Sequence, residues 1–305
     1  MDAAVIPPPD RRRRTRVANP GDDRDVVAST LIPQPLPRWV GYGAGPSAGG
    51  GARDAAFAAG AALLSLDQIV RTQAPWLGVL RARLALKATS VAARLLRLKA
   101  DAAALRDAEH LTRSGDDPGP AGRLHRLLRQ FASRPTRHAG EVLPMLEAEL
   151  RGAPVAAELV SLLEADLALA QKLGWTTPLL LHAGIVLEPA LRPGPEGRRP
   201  RADRPDWSAV CDQVLLFAVS ACHAEAVTLA RRAAALAVAA RRLRTRDQGR
   251  GLALVLADDA IAPWRMVGRA GLGSDRAARR FCETLASQGV LKRLTDRPTF
   301  RLYGL

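Results

Sequence analysis

From Ala55 to Thr245 the apolar residues of this chain recur at three- and four-residue spacing, and no region carries the strict alternation of a long sheet. That periodicity restricts the fold to packed helices. Hydrophobic residues make up 48% of the sequence but aromatics only 4%, so the core has to be assembled from Ala, Leu and Val. Small, unbranched side chains suit closely apposed helices better than a sheet. A chain of 305 residues is long enough to bury a substantial core.

The spacing predicts a first helix from Ala55 to Arg71 with Phe57, Ala61, Leu64 and Ile69 turned inward. Pro75 and Trp76 open a second, running to about Lys99, with Leu80, Leu84, Ala88, Val91 and Leu95 as its apolar stripe. Further helices are expected over Ala102–Leu111, Ala121–Ala132, Glu141–Arg151, Val155–Leu173 and Pro178–Leu187, with a turn-rich loop from Arg113 to Pro120. A long helix from about Trp207 to Thr245 follows.

Punctuation along the chain gives a domain scheme. Residues 1–51 read as a disordered arm, because Pro7–Pro9, the Arg11–Arg14 run with Arg16, the Pro33/Pro35/Pro37 series and Gly49–Gly51 offer little apolar area to bury. The arginine run is either a phosphate-binding arm or a solubilising tail, and Trp39 and Tyr42 are the residues able to dock on the folded part. Residues 52–192 form a helical body, 193–206 a basic Pro/Gly linker, 207–250 a long connecting helix and 251–305 a terminal unit.

The terminal unit carries most of the functional signal. Leu252–Leu256, followed by Asp258 and Asp259, reads as a first helix. Ser274 is an N-cap for another, whose Ala277, Ala278, Phe281, Cys282 and Leu285 make one apolar face, with Gly289 at a left-handed C-cap. Arg276, Arg279, Arg280, Glu283 and Ser287 fall opposite. Two strand-like runs, Val290–Leu294 and Thr299–Tyr303, then form a basic hairpin around Thr-Asp-Arg-Pro. This is the order of a winged helix-turn-helix, which sets its second helix in the major groove and its wing on phosphate. Phe281, Leu285, Leu294 and Phe300 are expected to share its core. Ser274, Arg276, Arg279, Arg280, Lys292, Arg293, Arg297 and Arg301 are the expected DNA contacts. The bland alternatives are a solvated cationic face, or a winged unit that docks on a protein partner or on a second copy of the chain.

Charge favours a polyanionic partner, because the formal net charge is +15 and the pI about 11.2. Between Arg231 and Arg301 lie sixteen Lys or Arg against six Asp or Glu, so two-thirds of the excess sits in under a quarter of the chain. Part of that cluster needs no partner, since cations late in a long helix suit its dipole. A membrane-surface role for the N-terminal arginines lacks a hydrophobic anchor. The apolar stretch Val214–Ala240 is interrupted by His223, Glu225, Arg231 and Arg232, and no spanning helix is expected. Cys211, Cys222 and Cys282 are an odd number without a CxxC spacing, which points to a reducing, cytoplasmic setting.

Enzymatic chemistry has one foothold, Asp107, Glu109 and His110 with His125 and Arg123. Asp107 and His110 share a helix face, but one such pair supplies too few ligands for zinc, and a polar helix-end network is the plainer reading. Cys222 and His223 diverge on a helix and do not form a thiol–imidazole pair. Gly122-Arg-Leu-His-Arg matches the last part of the Fic-type nucleotidyl-transfer motif but lacks its phosphate-cradling turn and its catalytic histidine. No cofactor, no metal and no catalytic residue is implied.

Leu105-Arg-Asp-Ala-Glu-His-Leu, Gly115-Asp-Asp-Pro-Gly-Pro-Ala-Gly-Arg-Leu, Ser274-Asp-Arg-Ala-Ala-Arg-Arg and Arg297-Pro-Thr-Phe-Arg-Leu-Tyr-Gly-Leu resemble an uncharacterised, chiefly alphaproteobacterial family of the DUF 1403 type. The resemblance runs from about Ala52 to Leu305 and implies no activity to carry over. The C-terminal run is also similar to helix-turn-helix tails of some rhizobial and Fic-like proteins. The expectation is therefore a mainly α protein: a multi-helix body, a long connecting helix and a C-terminal winged helix that binds duplex DNA without catalysis.

Overall fold

The computed structural model describes residues 32–42, 52–113, 115–192, 198–199, 201–203, 207–208, 210–243, 248–269, 272–295 and 300–305. The Arg11–Arg14 run, Arg244, Arg246 and Arg297 lie outside the described residues. The fold is mainly helical: α1 (Arg38–Tyr42), α2 (Ala52–Arg71), α3 (Leu77–Leu95), α4 (Ala102–His110), α5 (Gly119–Ser133), α6 (Thr136–Ala139), α7 (Leu143–Glu149), α8 (Ala156–Leu173), α9 (Cys211–Ala240), α10 (Gln248–Ala257), α11 (Pro263–Met266) and α12 (Asp275–Ser287). Two short strands, β1 (Lys292–Arg293) and β2 (Tyr303–Gly304), pair antiparallel.

The central seam is α2 against α9. Ala58, Ala59, Ala62 and Leu66 from one helix, and Ala226, Ala230, Ala233 and Leu236 from the other, are almost wholly buried. Small side chains on both faces let the helices come close and gain dispersion contacts along their length. Within the seam the Ser65 hydroxyl meets His223 Nε2 at 2.9 Å, which gives the buried imidazole a polar partner. By length and composition α9 could cross a membrane, with a mean hydropathy of 1.5. Here its apolar face is spent on α2, α3 and α10.

This seam corrects the expected orientation of α2 at Phe57 and Leu64, while Ile69 is buried as expected. Phe57 is 70% and Leu64 62% exposed, whereas the alanine stripe faces inward. Bulky residues on that face would hold the helices apart. Phe57 stacks instead on Trp39 of α1, with ring centroids 5.8 Å apart and planes 27° from parallel, and Val40 beside Trp39 is buried. The stretch around Trp39 is thus a docked helix inside the segment expected to lack structure.

A second correction concerns Pro178–Leu187, which is a chain of buried turns and not a helix. α8 ends at Gly174 in the left-handed conformation. The buried Asp166 carboxylate then accepts from the Leu181 amide at 3.0 Å and contacts His182 Nδ1 at 2.6 Å. With a side chain taking these backbone donors and Pro178 supplying none, no helical ladder forms. Leu179, Leu180, Leu181, Ala183, Ile185 and Val186 are all buried around it. Nearby, the fully buried Glu158 of α8 is bonded by Arg199 and approached by Arg201 at 3.6 Å, which straps this stretch of chain over the helix.

The last segment packs on α3 and α9. Gly78 of α3 sits where a Cβ would lie 2.8 Å from the Ala257 Cα and main-chain oxygen, so only glycine lets α10 approach this closely. α12 buries Ala278, Phe281, Cys282 and Leu285. Gly289, at φ +74, ends it, and the Val290 amide returns to the Leu285 carbonyl at 3.1 Å. Lys292 pairs with Gly304 and Arg293 with Tyr303, and Ile261 bridges the other edge of Tyr303. Phe281 and Leu285 are buried in the main core, Leu294 is partly buried against a separate small cluster of Ala260, Ala262 and Leu302, and Phe300 is 53% exposed. Neither Leu294 nor Phe300 joins the Phe281/Leu285 core, because the pairing is displaced toward the chain end and Tyr303 fills the inner position.

Candidate nucleic-acid interface

The capping of α12 follows from its sequence. Ser274 has extended backbone angles and its hydroxyl accepts from the Ala277 amide at 3.2 Å, so the side chain already has a structural duty. Asp275 in the first turn suits the positive end of the helix. Opposite the buried face, Arg276, Arg279 and Arg280 are all exposed.

Their electrostatic situations differ. Arg279 is paired with Asp275 one turn back, at 2.8 Å. Arg301 is bonded to Glu283 and lies 36% exposed. Arg276 and Arg280 have no carboxylate partner among the described residues, although they lie one turn apart. Like charges at that spacing destabilise an isolated helix by a few tenths of a kcal/mol, roughly. On the ribbon, Lys292 and Arg293 are exposed, and Arg293 Nε donates to the Thr295 carbonyl at 2.8 Å. Arg297, the expected tip of the wing, lies outside the described residues.

Between α11, α12 and the ribbon is a small cleft of about 190 Å³ lined by Trp264, Asp275, Arg279, Phe300 and Arg301 among others. Trp264 is 51% exposed and carries the Arg265 guanidinium 5.2 Å above its ring. Two half-exposed aromatics beside several charges make this face sticky as well as cationic.

What seats the terminal unit on the body is an ion network that sequence reading missed. Asp258 is held by both terminal nitrogens of Arg129, at 2.7 and 2.9 Å. Asp259 takes Arg83 at 3.0 Å and Arg106 at 2.6 Å. Arg83 also reaches Glu225 at 2.5 Å and bonds the Leu305 carbonyl. Burial works against the Asp258 carboxylate, but the hydrogen bonds and charge of Arg129 outweigh it and keep its pKa below the ordinary value. Next to it, burial pushes His110 down to about 4 and His125 down to about 3, so both are neutral imidazoles at pH 7. The partners of the two aspartates are 129 to 176 residues away in sequence, and no local spacing announces them.

The enzyme foothold does not assemble. His110 and His125 are buried, and His125 Nδ1 meets the Thr89 hydroxyl at 3.0 Å. Arg123 points elsewhere, to Asp117 at 2.8 Å and Glu149 at 2.9 Å. Asp107, His110 and Arg123 line neither the cleft beside α12 nor the larger one between α3 and α9. Gly122 serves packing, since a Cβ there would lie 2.6 Å from the Pro118 side chain. Cys211, Cys222 and Cys282 are free thiols.

A family model described as a protein of unknown function (DUF1403) matches residues 26–153 and 133–305. No curated protein and no solved structure matches the chain.

Proposed function

Since the chain belongs to the DUF1403 family, whose description assigns no activity, we propose from its own geometry that it binds duplex DNA through a C-terminal winged helix-turn-helix. The order α10, the Ile261 bridge, α11, α12, β1, β2 supports the winged-helix reading. α12 is the recognition helix in this reading, and the β1–β2 ribbon is the wing. The observation that carries the proposal is the pair Arg276 and Arg280. They leave cationic charge uncompensated on the outward face of a helix whose other face is sealed in the core. Stability gains nothing from that arrangement, whereas a phosphate or a guanine edge would. Lys292, Arg293, Arg297 and Arg301 supply backbone contacts around it.

The exposed Trp264 and Phe300 favour a second reading, in which the same unit docks on a protein partner or a second copy of the chain. Salt separates the two. A salt-titrated binding assay with single-stranded, double-stranded and competitor nucleic acids should give duplex affinity that falls linearly in log–log form, by about 0.9 per phosphate neutralised. Absence of duplex binding at low salt, with helix and ribbon arginines intact, removes the DNA reading and leaves the docking one. On either reading the protein acts without catalysis, in the cytoplasm.

A further inference from the structure

A second cleft, of about 370 Å³, opens between α3, α4, α9 and the buried turns after α8. Its walls are largely apolar, with Leu84, Leu181, Ile185 and Ala218 among them. Its polar groups are Arg83, Lys87, Arg106, Ser90 and Glu225. An apolar chamber of this size with a few convergent polar groups is the usual form of a small-molecule site.

The polar groups are unequally occupied. Each of the three nitrogens of Arg83 is engaged, by Asp259, Glu225 and the Leu305 carbonyl. Glu225 is taken by Arg83, and Ser90 donates to the Leu86 carbonyl at 2.9 Å. Arg106 spends only its Nε on Asp259, and its Nη groups have no partner among the described residues. Lys87 reaches Glu188 only at 4.0 Å, with both side chains nearly half exposed. Its stem runs beside Gly184, which keeps the ammonium at the cleft edge. Two cations with donors to spare therefore bound an apolar space.

We propose that this cleft binds a small amphipathic carboxylate, with its apolar body among the leucines and its carboxylate between Arg106 and Lys87. A cation would meet Arg106 and Lys87 with the one nearby acid in the lining already taken. A dianion would crowd Asp259 and Glu188. Arg106 bonds Asp259 through Nε, so a carboxylate bound by its Nη groups shares one guanidinium with the contact that seats the terminal unit. The ligand site and that unit are linked through one guanidinium. Binding itself is independent of the DNA reading, and only its effect on duplex affinity rests on that reading.

Calorimetric titration of the full chain with octanoate, and with octanol as its uncharged counterpart, tests the site. Octanoate should bind saturably, and octanol about tenfold or more weakly, because charge-assisted hydrogen bonds are the strong ones. Ala221→Trp, an exposed lining position on α9, should fill the cleft and abolish octanoate binding with the unfolding midpoint retained. Lys87→Gln, at the exposed edge, should weaken it about tenfold. Equal binding of octanol, parental octanoate affinity in either variant, or no saturable uptake of hexanoate, octanoate and decanoate overturns the proposal. That failure leaves duplex binding standing, whereas octanoate binding without duplex binding keeps the site and removes the DNA reading.

Discussion

Arg129 of α5 grips Asp258, immediately after α10, through both terminal guanidinium nitrogens, and each side chain is 24% exposed. Bidentate geometry of this kind fixes orientation as well as contributing energy. It is the hinge-pin between the helical body and the last segment, and the adjacent Asp259 repeats the device with Arg83 and Arg106.

Breaking that pair from one side should be costly. Asp258→Ala leaves a mostly buried guanidinium unpaired, and the unfolding free energy should fall by about 3 kcal/mol, the low end of the range for buried pairs. Replacing both partners, as Arg129→Met with Asp258→Leu, should restore most of the loss. Urea denaturation reads both. Equal destabilisation by the single and double variants would show that the ion pair is not the cause.

Acid should weaken the fold before the carboxylates titrate. His110 and His125 have native pKa values near 4 and 3, below the 6.5 of an unfolded histidine. The unfolded chain therefore binds more protons as pH falls below 6.5, and stability is lost from there down to the native values. The loss should approach about 8 kcal/mol by the native values, because each tenfold difference in proton affinity between the two states is worth about 1.4 kcal/mol and the two depressions together span about six such steps. His125→Asn, followed by denaturant midpoints across pH 7 to 4, should flatten the dependence. An unchanged slope would place the sensitivity elsewhere.

The α3–α10 approach depends on one missing methyl group. Gly78→Ala puts a Cβ within 2.8 Å of the Ala257 backbone, and backbone cannot yield as a flexible side chain can. A loss of about 1–3 kcal/mol is expected, typical of overpacking. Gly60→Ala, in open space on α2, should be neutral or stabilising and serves as the control. Thermal unfolding of the two variants decides the matter.

On the duplex-binding reading, the arginines of α12 should not be equivalent. Arg276→Ala and Arg280→Ala should each flatten the log affinity–log salt slope by about 0.9 if they meet phosphate, or cost roughly 1–3 kcal/mol at a preferred site if they read guanine. Arg279→Ala should do less, because Asp275 already holds that side chain. Conversely, Asp275→Asn should tighten all duplexes alike. Identical effects of the three alanine variants would mean that the pairing does not matter to binding.

Local signals were legible where local chemistry makes the structure. The Ser274 cap, the α12 face and the Gly289 turn follow from hydrogen bonds and backbone angles within a few residues. The helices α3, α4, α5 and α8 were legible from their apolar stripes, with ends shifted by a few residues. The orientation of α2 at Phe57 and Leu64 was not. Phe57 and Leu64 look inward to a hydrophobicity count, but the partner of α2 is an alanine-rich helix that rewards closeness over bulk. Pro178–Leu187 failed because a continuous apolar run reads alike as helix or buried turn, and the deciding Asp166 lies on another element. The seat of the terminal unit was invisible for the same reason. In sequence Asp258 and Asp259 only follow the Leu252–Leu256 helix, and the assembled helices supply their arginines.

The seam of α2 with α9 has a consequence for biosynthesis. Ser65 and His223 stand 158 residues apart, so the alanine face of α2 leaves the ribosome long before its cover exists. At about 5–20 residues per second the helix waits on the order of ten seconds with Ala58, Ala62 and Leu66 unshielded. The nascent chain therefore cannot complete its central packing from its first half. Its yield in a cell should depend on holdase chaperones during that interval more than on the stability of the finished protein.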